Sequence, residues 1–292
     1  MQRLRRLSTV ALVALASGYL LVAAFFFAIQ RRLLFPAPPP RELHITGAQL
    51  LAIPYAGGTA HALWKPGLAG TPVVVHFHGN AEQLADLDEL AGIWHGLGFG
   101  FFAVEFPGYG ASADRGPSEA AILGDAEAAL AHLHERLNVP VARTVLEGRS
   151  LGTGVAVAMA ARGLGSRLIL ISPYTSIPDV AQRVLPFLPA RLLVRDRFDS
   201  LARASQVHVP VVVLHGTHDE VIPFEMGKKL AAALSATFLS VDAGHNDTLD
   251  TGPVMRVMPQ VWYALDAFAA TGNPAGEAMP DGQPGAEGPF GG

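Results

Sequence analysis

The chain has 292 residues, half of them apolar and 16% charged, with a net charge of −4, 11 histidines and no cysteine. That length buries one large core and suits a single α/β domain with appendages, and the apolar content excludes disorder over most of the chain. Without a basic stripe beyond the extreme N-terminus there is no electrostatic basis for a nucleic-acid partner, and the lack of cysteine excludes disulfides, thiolate metal sites and a cysteine nucleophile.

Arg3, Arg5 and Arg6 precede an apolar stretch over residues 7–29, which Arg31 and Arg32 close. Its length matches the roughly 20 residues that cross hydrocarbon and exceeds the ~7–15 of a signal-peptide core. The small-residue candidates for cleavage, Ala14-Leu15-Ala16 and Ala16-Ser17-Gly18, sit too early, because cutting there leaves 19–29 as a new apolar terminus. Residues 1–30 therefore read as a retained single-pass membrane anchor. Counting the amino terminus, the leading flank is slightly the more positive, which favours an inside N-terminus and puts the rest of the chain on the extracytoplasmic side. Pro36, Pro38, Pro39 and Pro40 make 31–40 a stiff spacer that separates the following domain from the anchor.

From 41 to 270, strand-like runs at 73–77, 100–106, 144–147, 168–172, 211–215 and 237–241 alternate with helical patterns, clearest at 118–137, 151–162 and 224–234. Such alternation builds a mostly parallel central sheet with helices on both faces, whose active site lies at the carboxyl ends of the strands. Residues 271–292 are rich in Gly, Pro, Ala and acidic side chains and read as a disordered tail.

Chemistry-bearing residues gather after those strand ends. Gly148-Arg149-Ser150-Leu151-Gly152 follows one strand and opens a helix, the setting in which a strained turn exposes a serine hydroxyl and aims the next amide, that of Leu151, at the same point. His76-Phe77-His78-Gly79-Asn80 ends another strand, with a helix expected from about Glu82. A second oxyanion donor is needed there, and we assign it to the Asn80 amide, with Ala81 as its neighbouring alternative. His76 and His78 share a strand face, but the sequence places no third ligand beside them, so no metal centre is expected. Asp219 and Glu220 follow the strand at 211–215, and either could orient a catalytic imidazole. His245 follows the last strand, and Ser150, acid, His245 is the chain order of α/β hydrolases. Among the other histidines, His215 and His218 flank the acid and support its turn, while His44, His61, His95, His132, His134 and His208 read as surface or structural.

These elements together resemble the α/β-hydrolase superfamily, and within it the membrane-anchored, bud-emergence-protein-like (Bem-like) serine hydrolases. The resemblance spans 31–270. It rests on Arg32-Leu33-Leu34-Phe35-Pro36, His78-Gly79-Asn80-Ala81 and Phe106-Pro107-Gly108-Tyr109-Gly110-Ala111-Ser112. It continues through Gly148-Arg149-Ser150-Leu151-Gly152-Thr153-Gly154, Ser172-Pro173-Tyr174-Thr175-Ser176, His215-Gly216-Thr217-His218-Asp219-Glu220-Val221-Ile222-Pro223 and Gly244-His245-Asn246-Asp247. The resemblance implies that Asp219, not Glu220, is the acid of a Ser150–His245–Asp219 triad. It also implies that His78, Gly79, Tyr109, Arg149 and Tyr174 line the site, under a short lid at 173–206.

The expected activity is hydrolysis of a carboxylic ester or thioester through an acyl-enzyme, without a cofactor. The expected partners are a small-molecule or lipid-like acyl substrate and the membrane that holds the N-terminal helix. Leu185, Phe187, Leu188, Leu192, Leu193 and Val194 give the lid apolar surface to pack on the core or to face lipid. A serine aminopeptidase, an acyltransferase with an alcohol replacing water, and a non-catalytic membrane scaffold are the alternatives. The sequence leaves the oligomeric state open.

Overall fold

The computed structural model describes residues 2–247, so the expected end of the domain at 270 and the tail at 271–292 lie outside the described residues. Helix α1 (Gln2–Leu34) is followed by β1 (Gln49–Tyr55), β2 (Gly58–Lys65), β3 (Val73–Phe77), α2 (Asp88–Gly96), β4 (Gly100–Glu105), α3 (Glu119–Glu135), β5 (Thr144–Arg149) and α4 (Leu151–Ala161). Then come β6 (Arg167–Ile171), α5 (Ile177–Val184), α6 (Ala190–Leu193), α7 (Ser200–Arg203), β7 (Val211–Gly216), α8 (Phe224–Ala233) and β8 (Thr237–Val241).

The eight strands form one sheet in the order β1-β2-β4-β3-β5-β6-β7-β8, parallel from β4 to β8 and antiparallel at β1 and β2. This is the α/β-hydrolase fold. All residues of β3, β4 and β7 are buried, which is why their sequences read as unbroken apolar runs: helices cover both faces. Alternate side chains serve the two faces. Val75, Phe77, Leu146 and Leu170 pack with α3, α4 and α8, while Val74, Phe101, Val145 and Ile169 pack with Trp94 of α2.

The β1–β2 hairpin is absent from the sequence reading. Its strands are only half-buried, and Pro54 sits within β1, which is tolerated because β1 lies at the sheet edge. The helix expected from Glu82 starts later, at Asp88. Ala81 takes a left-handed φ of 58° and Gln83 is extended, so the chain makes a turn and one 3₁₀ segment, Leu84–Asp86, first.

The expected spacer also needs correction. Helix α1 runs to Leu34, stopping where Pro36 removes the α conformation from the preceding residue. Phe35 is buried 6.4 Å from the Phe198 ring, and the Gln83 amide grips the next turn, donating to Pro39 O at 3.1 Å and accepting from Arg41 N at 3.0 Å. Phe35 and Gln83 thus tie the segment to the domain, with Pro36, Pro39 and Pro40 exposed, so it does not hold the domain away from helix α1.

Candidate active site

Ser150 sits between β5 and α4 with φ 48° and ψ −116°, a strained conformation that turns its side chain out of the sheet. The turn is tight enough that a Cβ on Gly152 would fall 1.9 Å from Phe77 O and one on Gly148 2.5 Å from Gly152 O. Those glycines let the elbow close against the end of β3.

His245, in the loop after β8, brings Nε2 to 3.0 Å from Ser150 Oγ and Nδ1 to 2.8 Å from Asp219 Oδ2. The Asp219 side chain is fully buried, and its Oδ1 accepts the N–H groups of Val221 (3.0 Å) and Ile222 (2.7 Å). Burial works against its charge, but the hydrogen bonds from His215, His245 and Ile222 outweigh it and hold the carboxyl well below the usual carboxylate range. Glu220 meets His245 only through the backbone, accepting its N–H at 3.4 Å, so Asp219 is the carboxylate in contact with the ring. His215 is buried, with Nε2 3.0 Å from Ile222 O and 3.3 Å from Asp219, while exposed His218 pairs with Asp242.

An apolar cavity of about 290 Å³ opens onto Ser150. Leu151, Asn80 and Tyr174 border it. Leu151 begins α4, where backbone N–H groups have no intrahelical acceptor. Tyr174 also donates its hydroxyl to Leu151 O at 3.0 Å. The other residues expected to line the site stand behind it. Buried Tyr109 donates to Asn80 Oδ1 at 3.1 Å, and His78 Nδ1 donates to Gly79 O at 2.8 Å while Nε2 accepts from Phe106 N at 3.3 Å. Gly79 backs onto Ser150, where an added Cβ would come 3.5 Å from the serine Cβ. Arg149 turns away to pair with Glu82 and to reach Asn246 O at 3.4 Å. His76 is separately tied to Glu147 at 2.6 Å, beside Trp94 Nε1.

Glu82 is the residue that the sequence reading missed. Its Oε2 accepts Gly79 N at 2.6 Å while Oε1 pairs with Arg149. Burial opposes its charge, yet Arg149 with the nearby His76 and His78 and the Gly79 N–H keep its pKa lowered. The only signal in the sequence was an acidic residue three positions beyond Gly79. The helix α1 side of the cavity was missed as well: Phe26, Phe27, Gln30, Leu33 and Leu34 form part of its wall.

A family model described as serine aminopeptidase, S33, matches residues 71–202. Uncharacterized protein Rv2307c of Mycobacterium tuberculosis is 34% identical over 258 residues, covering 85% of this chain and 90% of that protein. Human alpha/beta hydrolase domain-containing protein 17B is 34% identical over 190 residues, 63% of each chain. The chain belongs to the α/β-hydrolase superfamily. Among solved structures, the Pyrococcus furiosus esterase Pf2001 superposes with a TM-score of 0.63 at 16% identity, over 80% of this chain and 97% of that one, a likeness of fold. The superfamily's strand-end layout accounts for the convergence of Ser150, Asp219 and His245 from the ends of β5, β7 and β8.

Proposed function

We propose that this α/β hydrolase is a serine hydrolase of the membrane-anchored, Bem-like kind, cleaving carboxylic esters or thioesters with an apolar acyl group. The observation that carries this reading is the hydrogen-bonded sequence Asp219–His245–Ser150 at the floor of a cavity whose lining, among the described residues, includes no charged side chain. In the first half-reaction Ser150 Oγ attacks the carbonyl carbon as His245 Nε2 takes its proton. Asp219 holds the imidazole by Nδ1 and stabilises the imidazolium. The Leu151 and Asn80 amides receive the oxyanion, and collapse of the tetrahedral intermediate expels the leaving group, which takes the proton from His245. Water then repeats the sequence on the acyl-enzyme: His245 removes its proton, the acid departs and Ser150 is restored.

The aminopeptidase reading draws on the family model's description, but an aminopeptidase needs an anionic group to hold the substrate amine, and among the described residues the cavity is lined by Gln30, Asn80, Ser150, Tyr174 and apolar side chains. Helix α1 is long and apolar enough to cross a membrane. Its contacts with the lid from Tyr19 to Arg31 favour a retained anchor over a cleaved leader, and the slightly more positive leading flank favours a domain on the extracytoplasmic side. The test is labelling by a fluorophosphonate with turnover of p-nitrophenyl esters and aminoacyl anilides. The wild type should be labelled and prefer esters, and the Ser150→Ala variant should do neither. Equal labelling of that variant, or better turnover of an anilide than of any ester, overturns the reading.

A further inference from the structure

The half-buried residues in the second half of α1 include Ala23, Phe26, Phe27, Gln30 and Leu34, a stripe at i, i+3, i+4, i+7 and i+11 on one helix face. That face lies against the lid. Tyr19 Oη donates to Phe187 O at 3.1 Å, and Gln30 donates to Leu193 O at 3.3 Å while accepting Arg195 N at 2.8 Å. Arg31 pairs with Asp196 at 2.8 Å, and the Arg195 guanidinium lies 4.1 Å from the Phe27 ring centre. On the lid side, Ile177, Val180, Ala181 and Val184 follow the same helical spacing along α5 and line the cavity opposite α1.

The two faces enclose a path from Ser150 to Leu33 and Val184, which line the cavity and are 56% and 68% exposed, while Val221 of the Asp219 loop, 48% exposed, lines it too. One opening therefore lies beside helix α1. Between Tyr19 and Arg31 an α-helix rises about 18 Å, more than half of a ~30 Å hydrocarbon core. With Arg31 at the polar boundary, the lid segment bonded to Tyr19 lies at hydrocarbon depth. Its outward side chains are mixed: Phe187 is 58% and Leu192 84% exposed, and the 66% exposed Arg191 side chain between them in sequence is paired with Asp179.

We infer that the acyl chain of the substrate enters sideways from the bilayer, along a channel walled by α1 and α5, so that the anchor helix is part of the acyl-binding site. This rests on the ester or thioester reading above and goes beyond it by assigning the route and source of the acyl chain. Since a ~150 Å³ apolar cavity holds the six carbons of benzene, the roughly 290 Å³ here fits on the order of ten to twelve carbons.

The test uses the full chain in phosphatidylcholine vesicles, with p-nitrophenyl acetate and p-nitrophenyl decanoate, each rate normalised to sites titrated by fluorophosphonate. Leu33→Trp and Val184→Trp narrow the mouth, and each should lower the decanoate-to-acetate ratio of kcat/KM by about tenfold or more, the contact of roughly two methylene groups. Leu21→Ala, on the outward face of α1, should keep the wild-type ratio. Phe187→Trp fluorescence should be quenched by brominated-acyl phosphatidylcholine beyond the wild-type level. If both mouth variants keep the ratio within about twofold, small beside the tenfold expectation, or if Trp at 187 escapes quenching, the lateral route is wrong while ester hydrolysis stands. If no ester is turned over but an anilide is, the ester reading itself fails.

Discussion

Arg149 and Glu82 pair beside Ser150, joining the elbow that carries it to the turn that carries Asn80. The Glu82 carboxylate holds both ends of this link, because Gly79 N donates to its second oxygen at 2.6 Å. Glu82→Gln keeps the shape and removes the charge, so Asn80 loses its fixed position relative to Ser150. The expected result is a fall in kcat of about tenfold, ~1.4 kcal/mol, with KM little changed. Steady-state kinetics on a short ester decide it, and an unchanged kcat means the pair is only structural.

Asp219→Asn should fold and lose roughly 10³- to 10⁴-fold in kcat, the size of effect seen when the orienting acid of the worked protease triad is replaced. The carboxyl has a folded pKa depressed below its unfolded value of ~3.9, so its stabilising contribution is fully present above that value. The contribution is lost as pH falls from there through the folded value. The stability difference between wild type and Asp219→Asn should therefore be constant down to about pH 5 and shrink below about pH 4. Denaturant titrations across that range measure it, and a gap that stays constant refutes the depressed pKa.

Tyr109 reaches the cavity only through Asn80. Burial, with Glu105 nearby, pushes its hydroxyl pKa far up, so it stays protonated and donates to Asn80 Oδ1 at every working pH. Tyr109→Phe leaves that oxygen without its donor. A loss of about three- to tenfold in kcat is expected, within the ~0.5–1.5 kcal/mol of a net hydrogen bond. KM should stay within about twofold, because Tyr109 does not border the cavity at Ser150.

Gly152→Ala tests the tightness of the elbow. The added methyl would overlap Phe77 O at 1.9 Å, and both partners are backbone, so the end of β3 and the start of α4 must part. Destabilisation of more than about 3 kcal/mol is expected, beyond the usual range for a single substitution. A thermal unfolding midpoint close to wild type would show that the turn has slack.

The sequence by itself determined the central strands and the three residues that meet at their ends. Buried parallel strands must be apolar throughout, and the Gly-x-Ser-x-Gly turn, the Asp219 loop and the His245 loop each follow such a run directly, so local pattern and chain order pointed to Ser150, His245 and the Asp219–Glu220 pair, while the family resemblance singled out Asp219. Where local pattern was weak, the reading slipped. The half-buried β1–β2 hairpin went unseen, and the helix after Asn80 was placed early because the left-handed turn at Ala81, a residue with no preference for it, left no trace. Tyr109, His78 and Arg149 were near the site in sequence motifs, yet only packing decided that they stand behind it. Helix α1 shows the limit most clearly. Its apolar length was plain, but its contacts lie far along the chain, as Gln30 to Leu193 does at a separation of 163 residues. Helical periodicity reports that a face exists; only the tertiary structure decided what that face covers.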